Sequence, residues 1–187
     1  MEEKIKYKKI TQKPYCCCGA CLEMILNRHK ITNKGQEDIA YELGLVVPEK
    51  DENLFKKARI EEKPIAGYGT QIQKEEYSIN NYFRKHNIQL IQEYYYITDT
   101  EKAKKFFLKN DDNDILICCH CGTLYDAPHA DWGHMLLFDH LEDDIVVVLD
   151  PSPKRNYEKI KIETLIKSIE IHGIDIGAGF WLIKKHN

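Results

Sequence analysis

The sequence predicts an α+β fold, with an N-terminal helical half packed on a C-terminal antiparallel β-sheet. Three observations carry this. Helix-period segments come first, strand-like segments follow, and a Glu142-Asp143-Asp144 turn joins two of the strands as a hairpin. No internal repeat and no linker interrupts the 187 residues, so a single domain over 1–187 is expected, long enough for a buried core.

The elements follow in order. Residues 1–12 read as an extended lead-in in which Ile5 and Tyr7 alternate, before Pro14 and a run of cysteines. Residues 20–27 form a helix that is apolar on most faces and must be buried on most faces, with Glu23 its one clear polar break. A turn covers 31–35. A second helix spans 36–43, with Ile39, Ala40 and Leu43 at helical spacing and Gly44 as its stop. Residues 45–76 are loop-rich, with Pro48, Pro64, Gly67 and Gly69. Ser78 caps a third helix reaching about residue 86, 89–97 carries the aromatic and β-branched residues of a strand, and 100–109 is a fourth helix. Strands are predicted at 114–119, 134–140, 144–149 and 179–185. No regular element is predicted between 152 and 178.

Composition narrows the class. The chain, of 21.9 kDa, is 43% hydrophobic and 30% charged, too apolar to be disordered. A net charge of −3 and a pI near 6.2 argue against a nucleic-acid partner. No apolar run approaches the roughly 20 residues of an integral membrane segment. The charged N-terminus has no signal-peptide core, so a cytoplasmic location is expected, with signal-less export left open. The seven cysteines fall in two tight clusters, Cys16, Cys17, Cys18 and Cys21, then Cys118, Cys119 and Cys121. Such crowding suits reactive thiols, a metal or plain burial better than a disulfide framework.

The chemistry starts with the thiols at the front of the first helix. The free N–H groups and dipole of a helix N-terminus stabilise thiolate. A thiolate nucleophile needs a base, usually histidine, and a group to orient that base. Gly133-His134 opens one strand and Asp150-Pro151 closes the next, so a hairpin can bring His134 and Asp150 together. Gln12 could donate its amide to a developing oxyanion.

Gln12, the cysteines and Ala20-Cys21-Leu22-Glu23-Met24-Ile25-Leu26 resemble the start of the papain-like peptidases that cleave bacteriocin leader peptides after double glycine, and of their stand-alone relatives. Gln36-Glu37-Asp38-Ile39-Ala40 with Leu43-Gly44 is similar to their second helix. The His134 and Asp150 strands resemble their His and Asp motifs. The resemblance runs from about residue 8 to 152. It implies a papain-like cysteine peptidase fold, a Cys-His-Asp triad, a glutamine oxyanion donor, and a peptide or protein substrate with no cofactor. Leader peptidases of this kind are often fused to a transporter, so a separate transporter is a partner it leaves open. An acyltransferase on the same fold and a non-catalytic binding module remain as alternatives.

The chain departs from the family pattern by one residue. Gln12 lies six positions before Cys18, which also supplies a Cys-Gly pair with Gly19, whereas Met24 lies seven after Cys17. A deletion inside a buried helix rotates its core face by ~100°, while one in the preceding loop does not. Cys17 is therefore read as the nucleophile, with Cys18 as the alternative.

The strongest rival is a metal site. Cys18, Cys21, Cys118 and Cys121 have the spacing of a structural zinc site, with His120 and His129 as spare ligands. Against it, Cys21 lies in an apolar helix and Cys118 ends an apolar strand. Burial as small hydrophobes is the expectation for Cys16, Cys21, Cys118 and Cys119. A redox role for Cys18-x-x-Cys21 lacks the βαβ context it needs. His140 is read as structural or solvent-facing. Tyr94 to Tyr96 and Trp132 are read as strand packing or cleft lining, and residues 119–132 as a cleft wall or a plain surface loop.

Overall fold

Alternate residues along a strand point to opposite faces, and in the central strands of this chain both sets are apolar. That pattern calls for a sheet covered on both sides. The computed structural model describes residues 6–186 and contains that sheet. Its six antiparallel strands are β3 (Leu90–Tyr95), β4 (Asp114–His120), β5 (Gly133–Glu142), β6 (Ile145–Leu149), β7 (Tyr157–Lys161) and β8 (Gly179–Lys185). They lie in the order β3-β8-β4-β5-β6-β7. Leu116, Met135, Leu137, Leu149, Trp181 and Ile183 face one core. Ile115, Ile117, Leu136, Phe138, Val148 and Leu182 face the other.

The first face is covered by α1 (Cys17–Arg28), α2 (Gln36–Glu42) and α3 (Ile79–Lys85). Leu22, Ile25 and Leu26 are fully buried there, each contributing about 1.5–3 kcal/mol through the hydrophobic effect. α1 and α2 approach closely at Gly19, where a Cβ would come within 2.4 Å of the Gln36 carbonyl oxygen. Ser78 caps α3 by accepting from Asn81 N–H at 3.2 Å. β1 (Val46–Val47) and β2 (Arg59–Ile60) form a small parallel pair within the loop-rich stretch.

The second face is covered by α4 (Thr100–Lys109), capped by Asp99, and by α6 (Ile162–His172). A short α5 (Cys121–Leu124) packs beside α6. β7, α5 and α6 lie where no element was predicted, so the expected order of helices first and strands later is incomplete. The signal for α6 was present: Ile162, Leu165, Ile166 and Ile169 recur at helical spacing and are buried. The other predicted helices and strands lie within a few residues of the observed ones. The alternation expected over 1–12 involves Ile5, outside the described residues. Tyr7 lies in no strand, and its ring is buried. No helix among the described residues is long and apolar enough to cross a membrane.

Candidate active site

Pro14 and Tyr15 turn the chain into α1. Tyr15 adopts the left-handed conformation at φ 60°, and the Cys16 N–H closes the turn on the Lys13 carbonyl at 3.1 Å. Cys16 occupies the N-cap position and Cys17 is the first helical residue. The N–H groups of a first helical turn have no partner inside the helix and point at whatever sits beside Cys17.

The cysteines then separate by environment. Cys17 is half-buried and lines a cleft, whereas Cys16, Cys18 and Cys21 are buried. Burial pushes the Cys16 and Cys18 thiols up to about 12, far from ionisation at neutral pH. Gly19 is required by the contact with α2, so the Cys18-Gly19 pair has a packing explanation.

His134 begins β5 and Asp150 follows β6, and the hairpin brings them together. His134 Nε2 donates to Asp150 Oδ1 at 2.9 Å, with both side chains buried. Ser152 Oγ lies 3.3 Å from the same nitrogen. That leaves the other ring nitrogen for the Cys17 thiol, which lines the same cleft and interacts with the ring. Burial opposes a charge on His134, but its interactions with Asp150 and Cys17 outweigh burial and raise it to about 9. Burial likewise opposes the Asp150 charge. His134, the Tyr125 hydroxyl at 2.5 Å and the Ser152 N–H at 2.7 Å nevertheless hold that carboxyl well below the usual range.

Gln12 is tied to the same corner, its N–H donating to the Pro151 carbonyl at 2.8 Å. Its side chain lines the cleft with Cys17 and His134. Its Oε1 is buried without a hydrogen-bond partner among the described residues. The cleft has a volume of about 610 Å³. The 119–132 stretch contributes His120, Asp131 and Trp132 to its wall, while Ile65 and Tyr68 line it from the loop-rich segment. Ile65 and Trp132 are exposed, at 96% and 55%.

The zinc quartet does not assemble. Cys21 is fully buried in the first core with its thiol donating to the Met135 carbonyl at 3.6 Å. Among the described residues no group of three or more His, Cys, Asp or Glu side chains could hold a metal ion. Cys16, Cys21 and Cys119 are fully buried and Cys118 partly so. His129 is exposed. His140 bonds Asp139 at 2.8 Å and Glu142 at 3.1 Å, away from the cleft. Tyr94 packs on Trp181, and Tyr95 packs on Phe106.

Sequence reasoning missed four residues near this corner. Tyr125, Ser152 and Arg155 surround Asp150, and His172 from the end of α6 lines the cleft against Gly133. Burial and nearby His120 push His172 down to about 4, so it is neutral at neutral pH. Ser152 had a signal, because an Asp two residues ahead of a backbone donor is a common turn. Tyr125 and His172 had none at short range.

No protein-family model and no curated protein matches the chain. Solved structures do. One is the double-glycine motif protease of an AMS/PCAT transporter in complex with its leader peptide, at a TM-score of 0.57 and 18% identity, covering 100% of this chain and 96% of that one. Another is described as a C39-like peptidase from Bacillus anthracis, at a TM-score of 0.60 and 14% identity, covering 100% of both chains. Both are papain-like cysteine peptidases, and this chain shares their α+β fold.

Proposed function

We propose that this chain is a cysteine hydrolase that cleaves a peptide or isopeptide bond, acting as one domain over residues 1–187. One observation carries the reading: a half-buried thiol on the first residue of a helix lies in one cleft with a buried histidine that interacts with it, and that histidine is bonded in turn to a buried aspartate. Cys17 is the nucleophile. Its environment favours it over Cys18, whose thiol is held protonated by burial.

The thiolate of Cys17 attacks the carbonyl carbon, and the oxyanion is held by the Cys17 N–H and the Gln12 amide. The imidazolium of His134 then gives its proton to the leaving amine as the C–N bond breaks. Water, deprotonated by His134, releases the acyl group from sulfur. Asp150 holds the ring orientation and stabilises its charged form. The neighbouring protease bound to a leader peptide supports a peptide substrate for this cleft as well.

The test is iodoacetamide labelling at pH ~5.5, where an ordinary thiol with pKa near 8.5 is almost wholly protonated. Rapid labelling mapped to Cys17 by peptide mass spectrometry and slowed by His134→Ala is the expected result. Equal labelling of several cysteines, unchanged by that substitution, would overturn the proposal.

A further inference from the structure

The residues behind Asp150 do more than fill space. Asp150 is fully buried, and its two oxygens divide their partners. Oδ1 takes His134 Nε2 and the Ser152 N–H, while Oδ2 takes the Tyr125 hydroxyl at 2.5 Å. Tyr125 follows α5 and binds the carboxylate oxygen that His134 does not. The Arg155 guanidinium lies over the Tyr125 ring, 3.4 Å from its centroid, and its Nε is 4.0 Å from Asp150 Oδ2. Cation, phenol, carboxylate and imidazole thus form one line that ends at Cys17.

A hydroxyl that donates to a carboxylate draws charge away from it, and a cation beside both does the same. The less charge Asp150 keeps, the less firmly it holds a proton on His134. A histidine that is too basic keeps the proton that the leaving amine needs, and one that is too weak fails to stabilise the thiolate.

We propose that Tyr125, braced by Arg155, is a positioning residue that sets how much of the Asp150 charge is felt by His134. The inference rests on the triad reading above and deepens it. Other groups facing this corner are Cys17 and Cys21 from α1, Cys119 from β4 and Cys121 from α5. Burial raises Cys21, Cys119 and Cys121, so they stay neutral near neutral pH. The Ser152 N–H stays on Oδ1, and Arg155 is shared with Glu158 at 3.5 Å, so the balance is set by Tyr125, the Arg155–Glu158 pair, Ser152 and Cys17.

The test is an NMR titration of the His134 ring in the full chain carrying Cys17→Ser, whose hydroxyl does not ionise and so leaves Asp150 as the main source of the pull. The His134 signal is identified by its loss in His134→Gln. In Tyr125→Phe the titration midpoint is expected to rise by about half a pH unit or more, because Asp150 loses a donor. Site-specific replacement of Tyr125 by 3-fluorotyrosine, a stronger donor, is expected to move the midpoint the other way. Opposite displacements of the two variants support the inference. A midpoint unmoved by 3-fluorotyrosine overturns it, whether or not Tyr125→Phe folds. Displacements of the same sign overturn it too, because they would report general loosening. Failure of the triad reading is detected separately by labelling of the wild-type chain at Cys17. The His134 titration does not depend on that thiol.

Discussion

Two buried aspartates sit at opposite ends of α1, and they are built from similar parts. Asp150, beside the N-terminus, collects His134, Tyr125, the Ser152 N–H and, at 4.0 Å, Arg155. Asp114, beside the C-terminus, collects His29 at 2.7 Å, Tyr7 at 2.7 Å and Arg28 at 2.5 Å. Each has a histidine, a tyrosine and an arginine, and each carboxyl is held below its usual range against the pull of burial. They differ in what lies beyond. The arginine touches Asp114 directly and neutralises it, and the side chain of His29 is 20% exposed with no thiol at hand. At Asp150 the arginine stands back, and the buried histidine presents its free nitrogen to Cys17. The same four residue types thus meet twice. The cluster at Asp150 has a thiol and a cleft beside it, as the proposed triad needs, while the other ties the end of α1 to β4.

Substitutions sharpen the contrast. The largest effect is expected at Cys17→Ser, which should lower peptide hydrolysis by about a thousandfold or more. Cys18→Ser should leave most of it, and a rate assay on the two variants decides between the thiols. His134→Ala should cut Cys17 labelling at pH ~5.5 by roughly a hundredfold, as the thiol loses the base beside it. His29→Ala should leave labelling unchanged.

Asp114→Asn should reverse the pattern. It leaves Arg28 without its counter-charge, at a cost of about 3 kcal/mol in urea denaturation, while Cys17 keeps its reactivity in the folded protein. Loss of labelling in folded Asp114→Asn would show that the far cluster reaches the cleft. The smallest effects appear in stability against pH. His134 is raised when folded, from 6.5 to about 9, so its contribution is fully present below 6.5 and lost as pH rises through 9. Asp114 and Asp150 are lowered, so theirs is present above about 4 and lost as pH falls through their folded values. Thermal unfolding should therefore show a plateau between about pH 4 and 6.5, and His134→Gln should weaken the alkaline decline and, because His134 helps to lower Asp150, part of the acid decline as well.

What the sequence made legible followed from local signals. Ser78 and Gly44 punctuate helices by short-range chemistry, and the strands near His134 and Asp150 announce themselves by apolar runs about a short turn. Cys17 was preferred to Cys18 as the nucleophile because a deletion in the preceding loop disturbs less than one inside a buried helix. α6 has clear helical periodicity, but Lys161 at its start offers no capping side chain to announce it. Tyr125 could not be read at all. Its role depends on a loop meeting the end of β6, a contact that no spacing in the chain encodes. Ser152 and Arg155 took their meaning only once Asp150 had been placed.

The close approach at Gly19 reaches further than the two helices it joins. The residue it crowds, Gln36, also braces the strip beside the cleft. Its Oε1 accepts from the Lys13 N–H at 2.6 Å and its Nε2 donates to the Thr11 carbonyl at 2.9 Å. Gln12 hangs between those two anchors. The missing side chain at residue 19 thus acts as a spacer gauge: a single methyl group there would press on the Gln36 backbone and unsettle Gln12, so a substitution remote from sulfur and imidazole would show itself at the proposed oxyanion donor.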